Sequence, residues 1–297
     1  MTMTAANYNS LLDPMVKKIY FEEFAQGADM IPVLYGVESS DTYQEKIDGL
    51  VGLGSFPEFS GDLQYADLEK AYEKTFTHKR YAKGLAIERE LVDDGLFRKI
   101  RSMTVGIGMA AYNTRQAHAA APFNEAFSAI NYTTPDGLAL CSSAHTSNGT
   151  SADQSNAFAI ALSASSLEIM RIAMMNYKTD DDQPANVVPD MLLVPPALIG
   201  LAREICQSLN KSNTANNDIN IYNGEIIPVA WNRLTASGAF FLIDSRLMKM
   251  FNLWFERIPT EFKRTENFDQ FTHKFAGYMR HSFGAADWRF IAGSTGA

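Results

Sequence analysis

Cys141 and His145 have the best claim to chemistry in this chain. They lie in one loop beside Ser142 and Ser143. A thiol next to an imidazole can ionise and act as a nucleophile, provided the two side chains meet. No third group at a recognisable spacing orients this pair, and a second pair of metal ligands is missing. Asp180-Asp181-Asp182 offers oxygen ligands to a hard cation, although such a run reads more simply as a solvated helix end. His78, His118, His273 and His281 are scattered along the chain. No GxSxG, HExxH, GxxxxGK[ST] or strand-led GxGxxG occurs. The expectation is a non-enzyme with no catalytic residue, no metal and no cofactor. A soluble hydrolase using Cys141 and His145 is the enzymatic alternative.

Composition supports that direction. The chain has 297 residues, 46% of them hydrophobic, which is enough for a sizeable core in two lobes. A net charge of −8 disfavours a broad nucleic-acid grip. Cys141 and Cys206 make no disulfide framework, so a reduced compartment is expected. There is no secretory h-region and no long apolar run, so a soluble protein without a membrane anchor is expected.

The elements that must position any site are organised around residues 93–121. Leu96, Ile100, Met103, Ile107 and Ala110 recur at steps of three or four, the signature of one helical face. Asp93 or Asp94 is placed to cap the start and Pro122 to end the helix. Gly106 and Gly108 each cost about 1 kcal/mol inside a helix, so close packing against another backbone is expected there. Before this helix, a short amphipathic segment (Leu11, Leu12, Met15, Ile19, Phe21, Phe24) reads as an arm, packed on its own chain or on another. Residues 38–78 mix glycine with bulky apolar side chains around Leu53, Phe56, Pro57 and Phe59. That is too apolar for a linker and too broken for a helix, and suits a projecting hairpin whose tip meets a partner. Tyr72–Glu90 reads as strands carrying a basic cluster that includes Lys79 and Arg80.

Beyond Pro122, Ser165-Ser166-Leu167-Glu168 reads as a capping box opening a helix. Met191–Val194, Ile226–Trp231 and Ala239–Ile243 read as strands, and Ala197–Leu209 as a helix after Pro196. Strands are expected over Met250–Ile258 and Phe268–Arg280, with a turn at Ser282–Ala285. The class is α+β.

The order of these segments resembles the major head subunit of Mu-like phages and prophages, which has the Hong Kong 97 type of capsid fold. The resemblance is carried by Leu53-Gly54-Ser55-Phe56-Pro57-Glu58, by Glu88–Asp94 entering the long helix, and by Asp136-Gly137 with Ser143-Ala144-His145. Met191–Leu198 and Gly284-Ala285-Ala286-Asp287-Trp288-Arg289 complete it. It implies an N-terminal arm (1–37), an extended loop over a neighbouring subunit (38–78), and a peripheral domain (79–134) with its spine helix at 93–121. An axial domain (135–240) and a return to the peripheral domain (241–297) follow. The implied function is a major capsid protein assembling into pentamers and hexamers of an icosahedral shell around double-stranded DNA, in the virion head, assembled in the bacterial cytoplasm. Implied partners are copies of itself, a separate scaffolding protein, a portal and a decoration protein, with no membrane; the N-terminus is expected to be unprocessed. Leu53, Phe56, Pro57, Phe59, Lys79 and Arg80 are the expected intersubunit contacts, and Gly106 and Gly108 the flexible points of the spine. An encapsulin-like nanocompartment is the alternative shell.

Overall fold

The computed structural model describes residues 14–22, 24, 28–50, 70–88, 90, 94, 96–147, 149, 151–210, 219–267 and 272–296. Two sheets and a long helix organise them. The first sheet has the order β1-β9-β10-β4. Its centre is the antiparallel pair β9 (Asn252–Asn267) and β10 (Thr272–Ala285). β1 (Gly36–Ser39) joins β9 in parallel, and β4 (Lys79–Glu88) joins β10 antiparallel along ten residue pairs. The second sheet has the order β5-β11-β8-β6-β7. β6 (Met191–Val194) and β8 (Phe240–Ile243) are continuous apolar runs because both of their faces are covered. β5 (Ala157–Phe158), β7 (Ile227–Ala230) and β11 (Ile291–Ser294) complete this sheet. A separate hairpin pairs β2 (Gln44–Leu50) with β3 (Lys70–Thr77).

Helix α1 (residues 14–22) packs on the first sheet, so Val16 and Tyr20 are buried on their own chain. Helix α2 (Ile31–Leu34) follows. The long helix α3 spans Phe97–Asn124, shifted from the expected 93–121 at both ends. Among the described residues no carboxylate caps it: Leu96 holds the N-cap position without a side-chain bond. Pro122 lies inside it. A proline removes one N–H, but here only the final turn lies beyond, and that turn is held from outside. Phe123 is buried, and Asn124 donates to the Arg233 carbonyl at 2.9 Å and accepts from Thr235 N–H at 2.9 Å.

Helix α4 (Ala164–Met175) is capped by Ser163, not Ser165, and Ser166 closes the box in place of Glu168. Helix α5 (Ile199–Gln207) follows a 3₁₀ turn at Pro196–Leu198. Helix α6 (Ser245–Phe251) falls where a strand was expected to begin. Asp244 starts it by accepting from Arg246 and Leu247 N–H, both at 3.0 Å. The expected turn at Ser282–Ala285 is strand. Gly284 is there because a Cβ would come within 3.2 Å of the Phe76 ring. β9 and β10 lie in the first sheet. β11 instead pairs with β8 and β5 in the second sheet.

The larger core lies around the second sheet and reaches α2, the C-terminal half of α3 and Trp254. A smaller core joins Val16, Tyr20, Ile87, Ile100, Ile107, Phe262 and Phe275. Gly106 does not make the close approach expected of it: it is exposed, and an added Cβ would meet nothing within 4 Å. Gly293 is the opposite case, where a Cβ would lie 2.6 Å from Cys141 Sγ. Gly106→Ala should therefore raise the unfolding free energy of the dissociated subunit by about 1 kcal/mol. Gly293→Ala should lower it by about 1–3 kcal/mol through overpacking. Urea unfolding of the two variants checks both signs.

Candidate functional site

The Cys141–His145 pair does not form a nucleophilic site. Cys141 is buried in the larger core, and burial pushes its thiol well above the ordinary range, away from thiolate. His145 is engaged elsewhere. Its Nδ1 lies 2.6 Å from Asp136 Oδ2 and its Nε2 3.1 Å from Asn156 Oδ1. The Asn156 amide cannot be turned round, because its Nδ2 donates to the carbonyls of Leu140 at 2.9 Å and Ile291 at 3.2 Å. The imidazole also stacks on Trp288, with centroids 4.4 Å apart and planes 5° from parallel. Burial pushes the Asp136 carboxyl up, but bonds from His145 and Thr134 outweigh it and hold the group below the usual carboxylate value.

Arg289 extends this cluster. It covers the Trp288 ring and reaches Asp180 at 2.6 Å and Asp287 at 3.0 Å. The three consecutive aspartates consequently point to different partners. Asp180 takes Arg289, Asp181 accepts from the Thr179 hydroxyl, and Asp182 pairs with Lys178 at 2.8 Å. Among the described residues no group of His, Cys, Asp or Glu side chains is arranged to hold a metal ion. The cluster is a polar clamp binding loop 135–156 to the turn before β11.

The remaining candidate is the projecting hairpin and its root. β3 passes into β4 through the single residue His78. His78 is buried, with Nε2 2.9 Å from Ser40 Oγ and Nδ1 2.9 Å from Ser282 Oγ. One ring thus ties the turn before β2 to β10. Phe76 packs on Phe255 at 5.3 Å, Lys74 donates to the Thr133 carbonyl, and Tyr72 Oη lies 3.0 Å from Thr146 Oγ1. These contacts fix where the hairpin leaves the body. Leu53, Phe56, Pro57 and Phe59 lie outside the described residues. The basic cluster divides by environment. His78 and Lys74 belong to the root, whereas Lys79, Arg80 and Lys83 are exposed on edge strand β4.

Sequence distance hid a second buried cluster beside the root. His118 on α3 and His281 on β10 meet, Nδ1 to Nε2, at 3.1 Å. His281 stacks on Trp254 at 4.5 Å and on Tyr81 at 4.8 Å. Arg115 pairs with Glu256 at 2.5 Å across the same junction. Burial, with His118, Arg115 and His78 nearby, pushes His281 from the ordinary 6.5 down to about 3. Burial also lowers His118 and His78. Only a pairing search across α3 and β10 finds this cluster, since no local motif marks it.

A two-sheet α+β body with a long helix and a rooted projecting hairpin is the Hong Kong 97 type of capsid fold. The sequence pattern of the phage capsid protein family matches residues 71–294, and the chain belongs to that family. Solved structures show the same fold. The capsid of cyanophage P-SCSP1u has a TM-score of 0.59 at 13% identity, over 90% of this chain and 88% of that one. The capsid of bacteriophage JBD30, decorated with minor capsid protein trimers, has a TM-score of 0.58 at 15% identity, over 71% and 92%. A virus-like particle from Pyrococcus furiosus has a TM-score of 0.55 at 8% identity, over 95% and 98%. No curated protein sequence matches. The chain is a phage major capsid protein, a self-assembling component of the virion head.

The histidine junction sets a pH dependence. His281 is held neutral in the fold, so below about 6.5 only the unfolded chain takes up its proton. Stability is therefore complete above that value and falls as pH drops toward 3. Replacing His281 with phenylalanine, which can keep the stack on Trp254, should flatten the slope of unfolding free energy against pH between 6.5 and 3. Denaturant titrations across that window measure it; an unchanged slope would contradict the assignment.

Proposed function

We propose that this chain is the major head subunit of a Mu-like tailed phage. It closes with copies of itself into pentamers and hexamers of an icosahedral shell around double-stranded DNA, held without sequence specificity. The observation that carries this reading is the hairpin root. A two-stranded arm anchored by His78, Phe76 and Lys74 continues into nineteen residues, 51–69, rich in apolar side chains, and such a segment needs cover from a neighbour. On this reading residues 1–37 are the N-terminal arm, 38–78 the extended loop, and α3 the spine of the peripheral domain. Residues 135–240 form most of the axial domain. Leu53, Phe56, Pro57 and Phe59 contact the neighbour, together with Lys79 and Arg80.

Ring-forming heterologous contacts that close by rotation suit such a subunit. The net charge of −8 keeps the lining from trapping DNA. Scaffolding comes from a separate protein, and a portal and a decoration protein complete the head. The JBD30 capsid, decorated with minor capsid protein trimers, supports the last of these. Maturation changes the packing between subunits, and Gly106 and Gly108 give the spine its bend. The protein is structural, without an active site of its own. An encapsulin-like compartment would use the same fold. DNA rather than an enclosed enzyme in particles recovered from lysed host cells separates the two. Negative-stain microscopy of the purified chain should show closed particles or rings of five and six; a compact monomer at all concentrations would overturn the reading.

A further inference from the structure

Helix α1 runs beside α3 in the same direction. Tyr20 lines one groove with Ile107 and Ala111, the Phe24 ring lies under the Arg115 guanidinium at 5.7 Å, and the Ala28 carbonyl accepts from the Tyr112 hydroxyl at 2.9 Å. Strand β4 runs the opposite way. Tyr81 meets His118 at 4.4 Å, Lys83 lines the groove beside Ala111, and Ile87 shares the small core with Ile100. The starts of α1 and α3 and the second half of β4 therefore share one end of the helix-covered face of the first sheet.

That end is cationic. Lys17 on α1, Lys83 on β4, and Arg98, Lys99 and Arg101 on α3 are exposed, and none of them has an ion-pair partner among the described residues. Lys18 is loosely held by Glu22 at 3.7 Å. Glu90 and Asp94, just before α3, are exposed as well, yet neither pairs with these cations. Within the subunit the arrangement is unfavourable. The first turn of α3 has no carboxylate, so Arg98 and Lys99 stand against the positive end of the helix dipole. Arg98 and Arg101 are also like charges at a spacing of three, which places them side by side. A cluster that works against its own helix, in a chain of net charge −8, calls for an anion from outside the subunit.

We propose that this patch binds the phosphate backbone of double-stranded DNA, an inference that rests on the shell reading above, in which DNA is the enclosed polyanion. The side chains suit phosphate. The Arg98 and Arg101 forks can each hold two phosphate oxygens, and Lys17, Lys83 and Lys99 add point charges around them. Such contacts position a duplex without reading its bases. The patch is small and the rest of the chain is acidic, so the hold is weak and falls steeply with salt. DNA lies against the subunit there without being trapped by it. The face that carries α1 and the start of α3 is then the one turned toward the DNA.

The test measures binding of a labelled mixed-sequence DNA duplex to the full-length chain by fluorescence anisotropy across a salt series. Arg98→Gln with Arg101→Gln should weaken binding at low salt at least about tenfold, and lower the slope of log affinity against log salt by about one per cation removed. Arg98→Lys with Arg101→Lys keeps the charge and should keep the slope. Arg203→Gln with Lys249→Gln removes the same charge from exposed positions elsewhere and should leave the slope unchanged. Circular dichroism checks that every variant is folded. No binding by the unmodified chain, or an equal loss in both glutamine variants, would overturn the proposal. Binding of polyglutamate that depends on Arg98 and Arg101, with none of the duplex, would also overturn it and mark the patch as a surface for an acidic protein. The measurement needs no assembled shell. If the chain forms no particles, the shell reading fails and duplex binding still decides the patch; if DNA-filled particles form and both glutamine variants bind alike, the patch fails and the shell reading stands.

Discussion

Helix α3 is a wall of both cores, and the rest of the subunit depends on that sharing. Its first half presents Ile100 and Ile107 to the small core under α1, and its last turns present Ala119, Ala120 and Phe123 to the large one. At 28 residues it is about 42 Å long, so the two cores sit at the ends of one strut. Ala119 and Ala120 are small because other groups must come close. Tyr35 donates to the Ala119 carbonyl at 2.7 Å, and its ring meets Phe123 edge-on at 6.3 Å. Each fully buried large side chain stabilises by roughly 1.5–3 kcal/mol, so neither core releases the helix at small cost. Rotating α3 against one sheet displaces it against the other.

The hairpin root meets this strut at the histidine junction. His118 belongs to α3, His281 to β10, and His78 to the point where the hairpin becomes the sheet edge. Aromatic stacking from Tyr81 through His281 to Trp254 fills the space between them. The contacts are short, buried and largely uncharged, and therefore insensitive to salt. The exposed cations on β4 are the reverse. Charges at a solvated rim are screened over about 8 Å at physiological ionic strength. The fold thus separates a salt-independent root, which aims the hairpin, from a salt-dependent rim available for choosing what lies against it.

Local chemistry made much of this legible. The apolar step through Leu96–Ala110 revealed α3, and the runs Met191–Val194 and Ala239–Ile243 revealed two central strands. What stayed hidden was non-local. Pro122 reads as a helix stop, and only Phe123 and Asn124, held by Trp231 and Arg233, explain why the helix passes it. Gly284 reads as a turn, whereas its reason is the Phe76 ring from a strand two hundred residues earlier. Helix α6 was masked by the alternation of Phe251, Leu253 and Phe255, which belongs to β9 only from Asn252 onward. Gly106 looked like a packing residue, yet its surroundings within the subunit are open.

The same principle explains why the short motifs that carry the family resemblance are spread so widely. Asp136, His145, Asp287, Trp288 and Arg289 look unrelated along the chain, but the fold brings them together. Asp136 holds His145, His145 stacks on Trp288, and Arg289 covers Trp288 while reaching Asp180. Removing Asp136 or His145 takes a partner from the other's buried polar atom, which costs more than the bond itself contributes. A loop with little regular structure, residues 135–156, is thereby fixed to the turn before β11 without a hydrophobic core of its own. Residues resembling a nucleophile and a metal ligand set serve instead to hold a loop still. In a shell subunit that is the more demanding task, because every copy must present the same surface to its neighbours.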